Sequence, residues 1–197
     1  MDCFARLELR RQLWIDPETL KQNFLRLSAE RHPDKAQGAE QKREAEKEFA
    51  ALNEACNTLR NTRLRLQHFL ELEGVPKAPH VQSVPPAALE FFSRVAEITK
   101  RADELAREKR AAASPMIKVQ ALTKALACAE TVRALQAELA GQIRKTEAEL
   151  QSLATSGQVQ PPLSPATVNT LQSAVATLGF LERWNAQLQE KIAALTF

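Results

Sequence analysis

A proline at position 33 separates two stretches of sequence that each have helical periodicity. The residue before a proline avoids the α region, so a helix of about residues 17–31 must end there. A polar loop follows, and apolar positions then recur at helical spacing over about residues 39–59. Two amphipathic helices joined by a short polar loop pack antiparallel. The chain therefore begins with a helical hairpin, and its connecting loop carries Pro33.

The rest of the chain repeats the helical pattern. Good helix formers dominate the composition, and only five glycines and no tyrosine occur among 197 residues. A short segment, about 64–72, follows the hairpin, and three long patterns cover about 87–112, 116–153 and 165–195. We therefore predict an all-α fold in which the last three helices form an antiparallel three-helix bundle.

The clearest boundary is the segment of residues 75–86, which contains four prolines. Proline-rich stretches of this kind form extended connectors. The sequence therefore predicts an amino-terminal domain of residues 1–74, a linker of residues 75–86 and a carboxy-terminal domain of residues 87–197.

Several classes of function are disfavoured by composition. Three widely spaced cysteines without a CxxC pair argue against a structural metal site or a disulfide framework. A net charge of +3 with mixed signs does not favour nucleic acid, and no apolar run is long enough for a membrane span. The amino terminus does not read as a secretory signal. We expect a cytoplasmic protein without metal or other cofactor.

The loop itself reads His32-Pro33-Asp34-Lys35, and we call residues 32–35 the HPDK loop. Pro33 constrains the turn, and the ionised carboxylate of Asp34 accepts hydrogen bonds only, which suits an arginine on a partner. No neighbouring pair of a nucleophile and a base is present, so no catalytic residue is assigned and no enzyme is expected.

Residues 1–74 resemble a J domain, with the HPDK loop between its second and third helices. The resemblance implies a partner, the ATPase domain of a DnaK-type chaperone. It also implies that the HPDK loop is the trigger and that Lys21, Arg26 and Arg31 of the second helix make basic contacts. Leu25 and Glu30 stand where many J domains carry basic residues, so the positive face is weaker here.

The whole chain is similar to the HscB family of iron–sulfur co-chaperones. The similarity lies in LRNTRLRLQHFLELEGVP at the end of the J region and in the carboxy-terminal GFLERWNAQLQEKIAALTF. It implies an HscA-type chaperone as the ATPase partner and an IscU-like scaffold protein as the client. The implied scaffold-binding residues are Phe91, Phe92, Val95 and Phe180. Two adjacent phenylalanines cannot both point fully inward, so one of the first two is expected at the surface.

Two alternatives stay open on the sequence. One is a general J-domain co-chaperone whose bundle binds unrelated clients. The other is a structural or nucleic-acid-binding helical protein in which HPDK occurs by chance. For each apolar candidate the competing interpretation is bundle core, and for each basic candidate it is an ordinary solvated helix face.

Overall fold

The computed structural model describes residues 2–35, 38–76, 84–157 and 159–197. Most of the predicted linker, residues 77–83, lies outside the described residues. The chain forms seven α-helices within the described ranges, and a 3₁₀ turn (Pro33–Lys35) lies between the second and third. The helices are α1 (Cys3–Arg6), α2 (Pro17–Glu30), α3 (Ala39–Arg60), α4 (Thr62–Leu72), α5 (Pro86–Ala111), α6 (Pro115–Thr155) and α7 (Pro165–Thr196). No strand occurs in the ranges described, and the predicted all-α class is confirmed.

The ends of α2 and α7 follow local sequence signals. The Asp16 side chain accepts a hydrogen bond from the Thr19 N–H at 2.8 Å, and Pro17 occupies the first helical position. Ser164 caps α7 in the same manner, since its Oγ accepts from the backbone N–H of Thr167 at 3.2 Å. Both starts agree with the positions of about 17 and 165 that the helical pattern of the sequence predicts.

Contacts divide the chain into two compact units. The first comprises Met1–Pro79 and Glu147–Val175, and the second comprises His80–Thr146 and Ala176–Phe197. Helices α6 and α7 therefore contribute residues to both units. The sequence assigns residues 147–175 to the carboxy-terminal domain because they continue its helices, whereas their contacts group them with the amino-terminal region. The domain boundaries drawn from the sequence stay a prediction.

In the first unit, α3 is the central helix and contacts α1, α2 and α4. The core contains leucines with no exposed surface, contributed by several segments: Leu7, Leu27, Leu52, Leu59 and Leu66. Burying each such side chain stabilises the fold by about 1.5–3 kcal/mol. The same packing fixes the end of α2 against α3, and the HPDK loop begins at that end.

In the second unit, side chains of α5, α6 and α7 share one core that includes Phe91, Val132, Leu139, Leu181 and Leu188. Polar contacts between these helices show in which relative directions α5, α6 and α7 run. Arg94 pairs with Glu138 and Glu108 with Lys124, so α5 and α6 run antiparallel. Asp103 pairs with Lys191, and the Lys109 ammonium donates to the Leu195 carbonyl, so α5 and α7 run parallel.

The pairing of Arg94 with Glu138 predicts a measurable titration. The guanidinium donates to both carboxylate oxygens at 2.7 and 2.8 Å, and these bonds lower the pKa of Glu138. We expect Arg94→Gln to raise the pKa of Glu138 toward its ordinary value, as measured by carbon-detected NMR titration of the carboxyl group. A lowered pKa stabilises the fold above the ordinary carboxyl pKa, and that contribution is lost as pH falls through the lowered value. The variant should therefore lose less stability on acidification.

A matched control is Arg107→Gln, which removes an exposed guanidinium elsewhere on α5. It should leave the pKa of Glu138 where it is in the wild-type chain. An unchanged Glu138 titration in Arg94→Gln would show that the pair does not form in solution.

Candidate functional site

The HPDK loop begins directly after the last backbone hydrogen bond of α2. The Arg31 N–H donates to the Leu27 carbonyl at 2.9 Å and closes the last turn of α2. The Lys35 N–H donates to the His32 carbonyl at 3.0 Å, which forms the 3₁₀ turn around Pro33. Proline fixes one backbone dihedral and lacks a donor, so it suits a turn that must leave the helix sharply. The loop is thereby held as a defined turn.

His32 stabilises this turn through two contacts of its ring. Its Nδ1 accepts a hydrogen bond from the Asp34 N–H at 3.3 Å, and its ring edge packs against Phe49 of α3 with centroids 5.5 Å apart. In the neutral imidazole this places the proton on Nε2. The histidine therefore connects the loop to α3 and orients the backbone of Asp34.

The Asp34 carboxylate faces outward from the loop, with 79% of its side chain exposed. Its Oδ2 lies 3.4 Å from Nδ1 of His32. Because Nδ1 already accepts the amide N–H, the carboxylate of the neutral-histidine state keeps its acceptor capacity for a partner. An exposed, oriented carboxylate of this kind fits a charge-assisted contact with an arginine.

The basic residues predicted on α2 are less available than the sequence implies. Arg26 donates to Glu30 at 3.1 Å and also to Glu8, and these hydrogen bonds raise the pKa of Arg26. Lys21 lies 3.6 Å from Glu18 on the preceding turn. A partner that binds this face must therefore compete with carboxylates of the chain itself.

Arg31 has a similar arrangement across helices. Its guanidinium lies 3.8 Å from Glu48 of α3, and Arg6 of α1 reaches the same carboxylate at 3.4 Å. Lys35 is exposed, and no ion pair to it occurs among the residues that the structure describes. Leu25 is 55% exposed on α2 and adds an apolar position to this face. The basic residues of this face, Lys21, Arg26 and Arg31, are thus each paired with a carboxylate of the chain.

The four predicted scaffold-binding residues separate into two groups. Phe91 and Val95 are each 3% exposed and belong to the core of the second unit, where their role is packing. Phe92 is 52% exposed, whereas Phe180 is half-buried against the core. The structure thus makes Phe92 the surface member of the adjacent pair.

Phe92 belongs to an aromatic cluster that joins α5 to α7. The ring of Trp184 lies 6.4 Å from that of Phe92 and 5.5 Å from that of Phe180, centroid to centroid. The Arg183 guanidinium lies 4.5 Å from the Phe180 ring centroid, within the range of a cation–π contact. Leu89, one turn before Phe92, is 59% exposed. We call these residues (Leu89, Phe92, Phe180, Arg183, Trp184) the aromatic surface.

Three members of this surface, Leu89, Arg183 and Trp184, are not among the residues that the sequence resemblance implies. Each is about one helical turn from a residue that it does imply: Leu89 lies three before Phe92, and Arg183 and Trp184 lie three and four after Phe180. That spacing is the signal that would have found them, because residues three or four apart share a helix face.

A second exposed apolar surface lies on α6. Met116, Val119, Leu122 and Leu126 recur at helical spacing and are each at least 41% exposed. Their exposure contrasts with the buried positions of the same helix, which include Ala125 and Ala129. We call these four residues the α6 stripe. The resemblance to the HscB family assigns it no role.

Within the described ranges, no group of three or more His, Cys, Asp and Glu residues could hold a metal ion. His68 has a structural contact, since its Nε2 accepts from the Cys3 N–H at 3.0 Å. His80 lies outside the described residues. Burial raises the pKa of each of the three free thiols, which keeps them protonated and poorly reactive.

Residues 2–68 match the family model of the DnaJ domain. These residues therefore form a J domain in the amino-terminal third of the chain. Among solved structures, the chain is similar to the chaperone HscB from Vibrio cholerae, with 20% sequence identity and a TM-score of 0.45. That match covers 95% of this chain and 99% of the other. In the described part of the chain, no helix meets the length and hydropathy that a membrane crossing requires.

Proposed function

We propose that this J-domain protein stimulates an HscA-type chaperone of the DnaK class and delivers to it an IscU-like scaffold protein of iron–sulfur cluster assembly. The first part of this proposal, stimulation of the chaperone, rests on the HPDK loop, in which His32 stabilises the turn and the Asp34 carboxylate is exposed. The DnaJ match over residues 2–68 removes the alternative of an HPDK that occurs by chance.

The chain acts in this proposal by binding, without chemistry of its own. In this proposal, Asp34 binds an arginine of the chaperone. Lys21, Arg26, Arg31 and Lys35 form the basic surface around that contact. Arg26 and Arg31 take part once they exchange their carboxylate partners within the chain for carboxylates of the chaperone. Electrostatic contacts of this kind raise the rate of association and select the partner. The bound loop then favours the chaperone conformation that hydrolyses ATP.

The aromatic surface supports the second half of the proposal. Aromatic side chains that are partly exposed beside a buried core are typical anchors of protein–protein interfaces. Phe92 and Phe180 are the members through which we expect the scaffold to bind, whereas Phe91 and Val95 support them from the core. The sequence likeness to the HscB family at residues 179–197 supports a scaffold protein as the client. The cytoplasm, where buried thiols remain reduced, is the proposed location.

A chaperone ATPase assay with two kinds of client tests this proposal. We expect the chain and an IscU-type scaffold together to accelerate steady-state hydrolysis by an HscA-type chaperone more than the product of their separate effects. An unfolded model client of equal concentration should add no such synergy through this chain. Stimulation without any dependence on the scaffold would contradict the client assignment and leave the J-domain activity in place.

The α6 stripe favours a second candidate, a general co-chaperone that binds exposed apolar segments of many clients. Contiguous apolar surface of this kind commonly marks an interaction site. This candidate predicts the reverse pattern in the same assay: synergy with the unfolded client and none with the scaffold.

A further inference from the structure

Arg94 and Arg183 each lie over a phenylalanine ring of the second unit, but their polar surroundings differ. The Arg94 guanidinium lies 5.9 Å from the Phe91 ring centroid and donates to both carboxylate oxygens of Glu138. The Arg183 guanidinium lies closer to its ring, 4.5 Å from the Phe180 centroid. No hydrogen bond or ion pair to it occurs among the residues that the structure describes. The donors of Arg183 are therefore available to a partner, whereas Arg94 already binds a carboxylate.

The contact with Phe180 holds the Arg183 side chain in place before any partner binds. A guanidinium is planar and carries its N–H groups along its edge, so an aromatic ring can cover one face and leave the edge accessible. Arg183 is exposed, whereas the Phe180 ring beneath it packs against the core of the unit. A side chain that is already held in place loses less conformational entropy on binding. Arg183 is thus a pre-positioned, solvent-accessible cation.

Arg183 lies at one end of the aromatic surface. From it, contacts run in order through Phe180 and Trp184 to Phe92, with successive ring centroids 5.5 Å and 6.4 Å apart. A segment that lies along this surface can therefore place an apolar side chain on the rings and a carboxylate at the guanidinium. An arginine forms charge-assisted, bidentate hydrogen bonds with a carboxylate. A basic segment would bring like charges together, so the surface favours an acidic one.

We propose that Arg183 binds a carboxylate of the scaffold, from an aspartate or glutamate close to the apolar side chain that packs on the aromatic surface. This inference rests on the proposed function, and it names the chemistry that the client must present. Contact with the rings supplies the buried apolar area, whereas the ion pair fixes the orientation of the client and rejects basic segments. Arg183 is therefore a specificity-determining residue of this surface.

Two substitutions separate the charge of Arg183 from its shape. Arg183→Gln removes the charge and retains hydrogen-bond donors, whereas Arg183→Lys keeps the charge but loses the planar fork. Arg94→Gln is the control, because it removes another guanidinium that lies over a phenylalanine ring of the same unit. Scaffold affinity of the full chain is measured for each variant by titration calorimetry at low and at high salt, and circular dichroism checks that each variant is folded.

We expect Arg183→Gln to weaken scaffold binding by about tenfold at low salt and to remove most of the salt dependence of the affinity. Arg183→Lys should retain the salt dependence and lose only about threefold in affinity. Arg94→Gln should stay within about twofold of wild type and keep its salt dependence. If Arg183 only holds Phe180 in place, glutamine and lysine would weaken binding equally, and by the same factor at both salt concentrations. That result, or wild-type affinity of Arg183→Gln, would overturn the inference.

A small-molecule probe tests the site without the scaffold. Phenylbutyrate carries an aromatic ring and a carboxylate, and phenylbutyramide is its uncharged analogue. We expect phenylbutyrate to shift the indole N–H resonance of Trp184 at a concentration about threefold lower than the amide requires. Trp14, which belongs to the first unit, should not respond. The difference between the two compounds should vanish in Arg183→Gln. Equal responses to the two compounds, or no response to either, would overturn the carboxylate site.

The two experiments distinguish failure of this inference from failure of the proposed function. If the wild-type chain binds no IscU-type scaffold but Trp184 responds selectively to phenylbutyrate, the proposed function fails and the carboxylate site stands. If the scaffold binds the wild-type chain and Arg183→Gln equally well, and the two compounds act alike, the proposed function stands and the role of Arg183 is refuted.

Discussion

Asp34→Asn should abolish most of the chaperone stimulation while leaving the fold unchanged. The amide keeps the shape of the carboxylate but loses its charge and replaces one acceptor oxygen with a donor nitrogen. Because the Asp34 side chain is 79% exposed and its backbone N–H makes the bond to His32, the turn survives the substitution. We expect single-turnover hydrolysis of chaperone-bound ATP to slow by at least about tenfold at fixed co-chaperone concentration, as for loss of a charge-assisted contact.

Glu40→Gln is the charge-matched control. It removes one negative charge from the first turn of α3, at an exposed position six residues beyond Asp34, without altering the HPDK loop. If both variants lose stimulation equally, net charge of the region is responsible, and the specific role of Asp34 is contradicted. If Asp34→Asn stimulates as well as wild type, the HPDK loop is not the trigger.

The parts of this structure that the sequence could predict are those set by local chemistry. The cap at Asp16 and the proline at 33 determine where α2 begins and ends, since they act on backbone groups within four residues. Helical periodicity likewise located α5, α6 and α7 to within a few residues of their observed ends. The HPDK loop was identified for the same reason, as a turn between two helices whose ends are locally specified.

The parts that could not be predicted depend on contacts between distant segments. Arg26 is a basic residue of α2 in sequence, but its pairing with Glu8 becomes visible only when the first segment folds back on α2. The Thr62 hydroxyl donates a hydrogen bond to Glu147 at 2.6 Å, and neither residue carries a sequence signal for that contact, because each is an ordinary polar residue at a helix position. Periodicity could place one of Phe91 and Phe92 inside, but the choice depends on how α5 is rotated against α6 and α7.

Because α5 is rotated so that Phe91 lies in the core and Phe92 at the surface, alanine substitutions at these two residues should have opposite effects on stability and on scaffold binding. Phe91→Ala empties a core position that is 3% exposed, and a loss of about 3–5 kcal/mol in the free energy of unfolding is expected. Phe92→Ala removes a ring that is 52% exposed and should cost less than about 1 kcal/mol. Scaffold binding should respond differently: Phe92→Ala weakens it by about thirtyfold, as for an interface anchor, in titration calorimetry.

Leu122→Ala in the α6 stripe supplies the control for this comparison. Leu122 is 41% exposed, so its truncation removes a similar kind of apolar surface from another helix of the same unit. Scaffold affinity should stay within about twofold of wild type, because the variant leaves the aromatic surface intact. If Leu122→Ala weakens the scaffold and Phe92→Ala does not, the client binds to α6. The aromatic surface would then be a half-buried part of the core, and the delivery model would need a client site on the outer face of the bundle.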